Sequence, residues 1–421
     1  MSELVPIAGL AVLGIFASYV AVLTVTALLH SFRTNHFHAA EGDLLRAKIE
    51  QLASPITKIQ NQGEIAWAGS RKFVLKGKVL EAEDICSFYL TPHDGQALPP
   101  YLPGQYLTFQ FHIPGLDRVT TRCYSLSDSP HNPDYYRITV KRIPPPEDQP
   151  YGKHGLVSTF IQHQIMPDDL IDVKAPAGQF FLDTTQRGPV VLIGGGIGVT
   201  PILSMLNYIA ATGSTREIWF FYGVHNGSQH IQKEYLQQLA AENENIHLHV
   251  CYSSPRSIDT KGEDFQHDER ITVDLLKRLL PSSNYHFYTC GPAEMMDQVT
   301  SDLKDWGVSK SHIHYEAFGP ATVKSVSKPS AHWTAGNNIK VTFTRSGTTA
   351  VWDGSSPSLL DFAESNGVMI DSGCRAGNCG TCLTAIRSGT IEYVSEPGAT
   401  VEEGSCLACI AIPQGNINLD A

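Results

Sequence analysis

The sequence predicts a multidomain chain: an N-terminal transmembrane helix, an antiparallel β-barrel, an α/β domain on a parallel sheet, and a small C-terminal domain built around a cysteine loop. Three observations carry this. Residues 5–29 hold no charged side chain. Strands of alternating apolar character from Phe73 give way near Val190 to fully apolar strands that alternate with helices. Five of the nine cysteines lie beyond residue 370.

A chain of 421 residues has room for two to four domains, and 42% hydrophobic with 9% aromatic residues is enough for ordinary packed cores. The formal charge of −11 excludes nucleic acid as a partner, because phosphate binding needs a basic face. Cys86, Cys123, Cys251, Cys290 and Cys406 are not spaced like a secreted scaffold, which points to a reducing compartment.

As a helix, residues 5–29 would reach roughly 37 Å, against about 30 Å for a bilayer core. The run is too long for a signal-peptide core and no small-x-small cleavage site follows; a buried core helix is the other reading. Arg33, Arg46 and Lys48 follow the segment, whereas only Glu3 and the amino terminus precede it. The positive-inside rule then predicts a single-pass protein of the inner or plasma membrane with cytoplasmic catalytic domains. Residues 39–60 read as an amphipathic spacer helix with Leu44, Leu45, Ile49 and Leu52 at helical spacing. His30, His36 and His38 are read as solvated rather than as metal or haem ligands.

In the barrel, Phe73 and Leu75 alternate, as do Leu107, Phe109 and Phe111, and Pro103-Gly104 marks a turn. On a strand at Arg122-Cys-Tyr124-Ser125, Arg122 and Tyr124 share one face and reach the same ligand. Gly155-Leu-Val-Ser158-Thr159 begins a helix whose free N–H groups suit a phosphate, with Ser158 otherwise an ordinary cap.

The apolar strand Val190-Val-Leu-Ile193 runs into Gly194-Gly-Gly196-Ile-Gly198-Val-Thr200-Pro201. Strand, glycine turn and helix make a phosphate cradle, since small residues let the backbone approach and the helix N-terminus favours anions. Residues 218–222 and 247–252 read as further strands of the parallel sheet, and Tyr288-Thr-Cys290-Gly291-Pro292 ends another. Tyr315-Glu316-Ala-Phe318-Gly319 closes the domain. Ser253, Ser254 and Arg256 suit a 2′-phosphate, although Arg256 equally reads as a loop charge, so NADH and NADPH both stay open.

Cys374, Cys379, Cys382 and the distant Cys409 have the C-x4-C-x2-C…C spacing of a plant-type [2Fe–2S] cluster. Gly373, Gly377 and Gly380 let one loop turn sharply around two irons. Two C-x-x-C pairs, Cys379–Cys382 and Cys406–Cys409, also suit zinc, and a disulfide framework is the third reading. Around the loop, Val341 and Phe343 alternate as a strand, and Ser356-Pro357 starts a helix with Leu359, Leu360 and Ala363 inward, ended near Gly367. From Gly336 onward nine Asp or Glu face four Lys or Arg, an acidity suited to a basic partner or to a solvated face.

Residues 337–421, including the ending Leu407-Ala-Cys409-Ile-Ala-Ile-Pro413, resemble a plant-type ferredoxin module with a β-grasp fold. Residues 72–323 resemble the ferredoxin-NADP reductase superfamily, in particular the reductase parts of flavohaemoglobins and multicomponent oxygenases. The resemblance implies that Arg122 pairs with a flavin phosphate, Tyr124 packs on the ring and ribityl chain, and Ser125 bonds near flavin N5. It places Gly155 and Ser158 at the flavin phosphate, and Gly194, Gly196, Gly198, Thr200 and Pro201 at the NAD(P)H phosphates. Cys290, Gly291 and Pro292 would lie beside the nicotinamide, Glu316 would relay a proton to N5, and Phe318 would shield the ring. Cys374, Cys379, Cys382 and Cys409 become the iron ligands, and Cys406 a spare.

The expected division is a transmembrane anchor at 1–32, a helical linker at 33–66, a flavin barrel at 67–187, an NAD(P)-binding domain at 188–323, a linker at 324–336 and a [2Fe–2S] domain at 337–421. The implied cofactors are FAD, preferred over FMN, a [2Fe–2S] cluster and NAD(P)H. The implied activity is that of a membrane-anchored NAD(P)H reductase passing electrons singly to a redox partner protein or membrane acceptor, such as a membrane oxygenase, hydroxylase or desaturase. Reduction of a quinone or respiratory acceptor, and non-catalytic redox sensing, are the alternatives.

Overall fold

The computed structural model describes residues 66–421 apart from 117–118, 146–151, 153, 319–338, 353, 378, 396 and 400. The apolar segment 5–29, the helix expected at 39–60, His30, His36, His38 and the linker at 324–336 therefore lie outside the described residues.

The barrel expectation holds, with apolar alternation plainest at Phe73 and Leu75. On β1 (Ser70–Ala82), Phe73 and Leu75 are fully buried. With β2 (Ile85–Pro92), β3 (Tyr106–His112), β4 (Val119–Ser125), β5 (Tyr136–Lys141) and β6 (Leu170–Ala177) it forms one sheet in the order β4-β3-β6-β1-β2-β5. The strand pairs are antiparallel, and a bridge from Leu126 to Ile138 brings the two sheet edges together. Alternate residues fill the interior, among them Phe88, Leu107, Phe109 and Val173. Helix α1 (Leu156–His163) lies over one end, burying Val157 and Ile161.

The second sheet is parallel throughout. Strands β7 (Val190–Gly195), β8 (Ile218–Val224), β9 (Ile246–Tyr252), β10 (His286–Gly291) and β11 (Ile313–Ala317) run in the order β11-β10-β7-β8-β9. Helices α2 (Val199–Ala211), α3 (Lys233–Glu242), α4 (Val273–Leu279) and α5 (Ala293–Asp305) cross between them. Because helices cover both faces, the central strand reads as an unbroken apolar run, and Val190 to Ile193 are all fully buried. The order reverses at β7, which puts its glycine turn at the crevice where ligands bind in such sheets.

Two contacts seat this domain on the barrel. The Asp128 carbonyl accepts from Tyr101 Oη at 2.6 Å and from Ser204 Oγ of α2 at 2.7 Å. Its carboxylate accepts from Asn207 Nδ2 of the same helix at 3.1 Å. The middle of α2 is thereby held close to the segment that follows β4.

The third sheet is mixed. Strands β12 (Ile339–Phe343), β13 (Thr348–Trp352), β14 (Leu383–Ser388), β16 (Ser405–Leu407) and β18 (Ile417–Leu419) run in the order β13-β12-β18-β14-β16, and a separate pair joins β15 (Ile391–Tyr393) to β17 (Ala411–Pro413). Helix α6 (Leu359–Ser365) starts two residues later than Pro357 suggests, because Ser358 is its cap, accepting the Asp361 N–H at 3.2 Å. Leu359, Leu360 and Ala363 enter the same core as Val341 and Phe343, as their spacing predicts, and Phe362 joins them.

The single-pass membrane placement is corrected. Among the described residues no helix is long and apolar enough to cross a membrane. The longest, α2 and α5, have 13 residues each, roughly 20 Å against the roughly 30 Å of a bilayer core. The segment that suggested an anchor is not among them.

Candidate flavin, nucleotide and iron–sulfur site

A cavity of about 420 Å³, ordinary for a small-molecule site, lies where the three sheets meet. From the barrel it is lined by Tyr106 and by Arg122, Cys123, Tyr124 and Ser125 of β4, and by Gly155 and Ser158 at the start of α1. The nucleotide domain contributes Ile197, Thr200, Glu316 and Phe318, and the cysteine domain contributes Gly373, Cys374 and Arg375.

Two groups show that this cavity suits a charged, polar-edged ligand. The Arg122 Nη1 donates to the Thr121 carbonyl at 2.7 Å, and no carboxylate pairs with it among the described residues. Burial draws this guanidinium below its ordinary value, so an anion beside it would be strongly favoured. Glu316 is the second. It is 5% exposed, its Oε2 has no hydrogen-bond partner, and burial raises its carboxyl to about 8, so it is protonated at neutral pH. An orphaned acid aimed into a cavity fits a ligand with a nitrogen or oxygen edge.

Ser158 lines the cavity at the start of α1. Its hydroxyl accepts from the Ile143 N–H and donates to the Gly155 carbonyl, each at 3.1 Å, so it lines the cavity with its hydrogen-bonding already used within the loop. It does not cap α1 either. The unpaired donors here are the backbone N–H groups at the helix start.

The glycine turn after β7 runs through a short 3-10 segment (Gly196–Gly198) into α2. No side chain caps α2; its first N–H, that of Val199, donates instead to the Gly196 carbonyl of the preceding 3-10 turn. Thr200 Oγ1 donates to the Ile197 carbonyl at 3.0 Å, and Pro201 sits in the first turn, where a missing N–H costs nothing. Gly198 is required by contact: a Cβ there would stand 2.5 Å from the Cys290 carbonyl oxygen and 2.6 Å from Gly291 Cα. The glycine turn and the Cys290-Gly291-Pro292 turn are therefore pressed together. Cys290 is fully buried, and burial pushes its thiol well up.

At the far end of this crevice Arg256 is committed to its own loop. Its Nη2 lies 2.9 Å from Asp259 Oδ1, while Asp259 Oδ2 accepts the Arg256 N–H at 2.7 Å and the Gly227 N–H at 3.3 Å.

The cysteines fall into two pairs. Cys374 and Cys379 exchange contacts, each N–H donating to the other's sulfur at 3.2 and 3.3 Å. Cys382 and Cys409 are both buried in the core of this domain. Backbone N–H groups point at the sulfurs, Ala376 at Cys374 (3.4 Å) and Gly377 at Cys409 (3.3 Å), as thiolates need. Among the described residues no three His, Cys, Asp or Glu side chains converge on one ion. Two pairs of thiols suit two irons and not one tetrahedral zinc. Cys406 is fully buried in the domain core, with burial pushing its thiol up to about 12.

Family comparisons agree with these three sites in order along the chain. Residues 72–182 match the oxidoreductase FAD-binding domain, 192–301 the oxidoreductase NAD-binding domain and 341–414 the 2Fe-2S iron-sulfur cluster binding domain. A flavohemoprotein of Halalkalibacterium halodurans is 38% identical over 304 residues, covering 70% of this chain and 73% of that protein. The chain belongs to the FAD- and NAD-binding oxidoreductase family of the flavohemoproteins.

Within that family the chain spans 63% of a Bacillus cereus flavohemoprotein that is 40% identical, less than two thirds of its length. The solved FAD/NAD-binding domain of a nitric oxide dioxygenase from Vibrio cholerae is 34% identical, covering 60% of this chain and all of that one, with a TM-score of 0.52. Phthalate dioxygenase reductase shares the fold over 84% of this chain and 98% of its own, at 24% identity and a TM-score of 0.52. The chain is thus an NAD(P)H oxidoreductase with domains for FAD, NAD and a [2Fe–2S] cluster.

Four residues at the junction are given no place in the cavity by their motifs alone. Tyr106 is the register partner of Ser125. Arg375, which pairs with Glu364, and Gly373 reach the cavity from the cysteine loop. Cys123 is the fourth case: strand alternation turns it away from Arg122 and Tyr124, a signal that was available but has no meaning until the neighbouring domain is placed.

Proposed function

We propose that this oxidoreductase is an electron-transfer reductase that takes electrons from NADH or NADPH and delivers them singly, through its [2Fe–2S] domain, to a partner protein of the oxygenase class. When bound, FAD accepts a hydride and the cluster delivers electrons one at a time, which is the chemistry these two groups supply.

The chain's own residues have distinct tasks. Arg122 and the N–H groups at the start of α1 bind the flavin phosphate, Tyr124 packs on the ring, and Ser125 bonds its reacting edge. Phe318, which lines the cavity, would shield the flavin from water until nicotinamide displaces it. The turn at Gly194, Gly196 and Gly198, with Thr200 and Pro201 at the helix start, holds the NAD(P)H phosphates. Cys290, Gly291 and Pro292 shape the nicotinamide pocket. Glu316, buried and protonated, holds a proton at its Oε atoms beside the reacting centre. Cys374, Cys379, Cys382 and Cys409 would hold the two irons of the cluster.

The observation that carries this reading is that the cluster loop and the flavin strand line one cavity, with Cys374 beside Arg122 and Tyr124. The phthalate dioxygenase reductase, described as electron transfer from pyridine nucleotides to [2Fe-2S], supports an oxygenase as acceptor by its shared fold. The test is anaerobic addition of NADH or NADPH to the reconstituted protein. Appearance of the paramagnetic signal of a reduced [2Fe–2S] cluster, followed by reduction of cytochrome c as a one-electron protein acceptor, is expected. A cluster left oxidised while the flavin bleaches would overturn the proposal, and faster turnover with a quinone than with any protein acceptor would replace the acceptor class.

A further inference from the structure

The loops that follow β8 and β9 are joined at the carboxyl edge of the parallel sheet. Gly195 of β7 is the register partner of Gly223, and Val224 that of Tyr252, so both loops leave the sheet on the same edge as the glycine turn. Their roots are tied: the Ser253 N–H donates to the Val224 carbonyl at 3.0 Å and the Ser254 N–H to the His225 carbonyl at 2.8 Å. In dinucleotide-binding sheets an acid beyond the glycine turn accepts from the ribose 2′-hydroxyl, whereas an arginine there admits a 2′-phosphate. The end of β8 has no acid of its own, since His225, Asn226, Gly227 and Ser228 follow it. Asp259 comes to it from the β9 loop. Its Oδ2 accepts the Gly227 N–H at 3.3 Å and the Arg256 N–H at 2.7 Å, and its side chain is only 4% exposed.

The same carboxylate holds a guanidinium. Arg256 Nη2 stands 2.9 Å and Nε 3.3 Å from Asp259 Oδ1. The pair is packed on Gly227, where a Cβ would lie 2.6 Å from Asp259 Oδ1 and 2.9 Å from Arg256 Nη2. Lys233, at the start of α3, is held likewise by Asp264, and Lys261 is exposed further along the loop.

We propose that Asp259 is the specificity-determining residue for the dinucleotide, withholding Arg256 from a 2′-phosphate and presenting a carboxylate in its stead, so that the protein uses NADH and discriminates against NADPH. The inference rests on the reading of the glycine turn after β7 as the dinucleotide site. A 2′-phosphate has to take Arg256 from a buried partner and then face that partner's negative charge, whereas a 2′-hydroxyl is neutral and donates to it. The Ser253-Ser254-Pro-Arg256 stretch alone suits a phosphate; its pairing in the fold reverses the preference.

The test is kcat/KM for NADH and NADPH with ferricyanide as acceptor, measured on full-length, FAD-loaded wild type, Asp259→Asn, Arg256→Ala and the double variant. Wild type is expected to favour NADH by about tenfold to 100-fold. Asp259→Asn keeps an acceptor for the two N–H groups but frees the guanidinium, and is expected to raise kcat/KM for NADPH about tenfold, mostly through KM. The double variant is expected to lose most of that gain, because the gain runs through Arg256. Arg256→Ala alone is expected to leave both nucleotides as in wild type. Equal use of the two nucleotides by wild type would overturn the proposal, as would a fall in NADPH activity in Arg256→Ala, which would show the guanidinium already at work on the phosphate. A folded Asp259→Asn protein with no gain, or a gain that persists in full in the double variant, would overturn it too. If Asp259→Asn does not fold, the wild-type ratio and Arg256→Ala decide. Turnover with neither nucleotide would be a different failure, removing the dinucleotide reading of the glycine turn and this proposal with it.

Discussion

Glu316 stands in register beside Cys290 across the parallel pair β10–β11, and both side chains are buried, with Glu316 lining the cavity. The strand pairing forces the carboxyl into an apolar setting where its Oε2 finds no partner. Its burial, not a neighbouring charge, raises it from 4.5 to about 8. The acid is held neutral by the fold.

This has a pH signature. Below 4.5 both folded and unfolded chains carry the proton; between 4.5 and about 8 only the folded one does. Stability from this group is therefore complete at low pH and falls as pH rises through that window, by on the order of 5 kcal/mol in total. Glu316→Gln is expected to flatten the fall. Thermal unfolding of both proteins from pH 5 to 9 checks it, and parallel curves would exclude the assignment.

Arg122→Ala removes the unpaired guanidinium of the cavity. A charge-assisted bond to phosphate of about 1.5–3 kcal/mol corresponds to roughly 10- to 150-fold weaker FAD binding. Flavin fluorescence after dialysis reads this out directly, and full retention would remove Arg122 from the phosphate site.

Gly198→Ala sets a methyl 2.5 Å from the Cys290 carbonyl. Separating the two turns is expected to cost about 1–3 kcal/mol in stability and to raise the KM for NAD(P)H while leaving FAD content intact. A variant with unchanged melting temperature and KM would show that the turns move apart freely.

Cys379→Ser is expected to abolish the cluster and leave the flavin, because the FAD-binding and [2Fe–2S] domains have separate cores. NAD(P)H-dependent ferricyanide reduction should survive, since that small acceptor reaches the flavin, whereas cytochrome c reduction should fail. Iron and sulfide analysis decides the matter: a variant retaining both would disqualify Cys379 as a ligand.

The elements and motifs of this protein were legible in the sequence because they are local. Period-2 alternation at Phe73 and Leu75, the glycine turn after Val190 and the cysteine spacing from 374 to 382 each follow from a few residues of backbone geometry, and the sheets appear where these predict. Hydropathy of residues 5–29 is local too, but it reports on a segment alone and did not establish where the protein resides. Tertiary structure decided the rest. Cys123 comes up against the Gly373 loop only because the third domain packs on a strand more than two hundred residues earlier in the chain. Ser158 spends its hydroxyl on Ile143, and Arg256 its guanidinium on Asp259, partners that no motif specifies. The protonation of Glu316 is likewise a sum over everything that shuts water out around it. Spacing along a chain fixes which groups can act together, whereas burial and pairing arise from long-range contacts that exist only once the chain has folded.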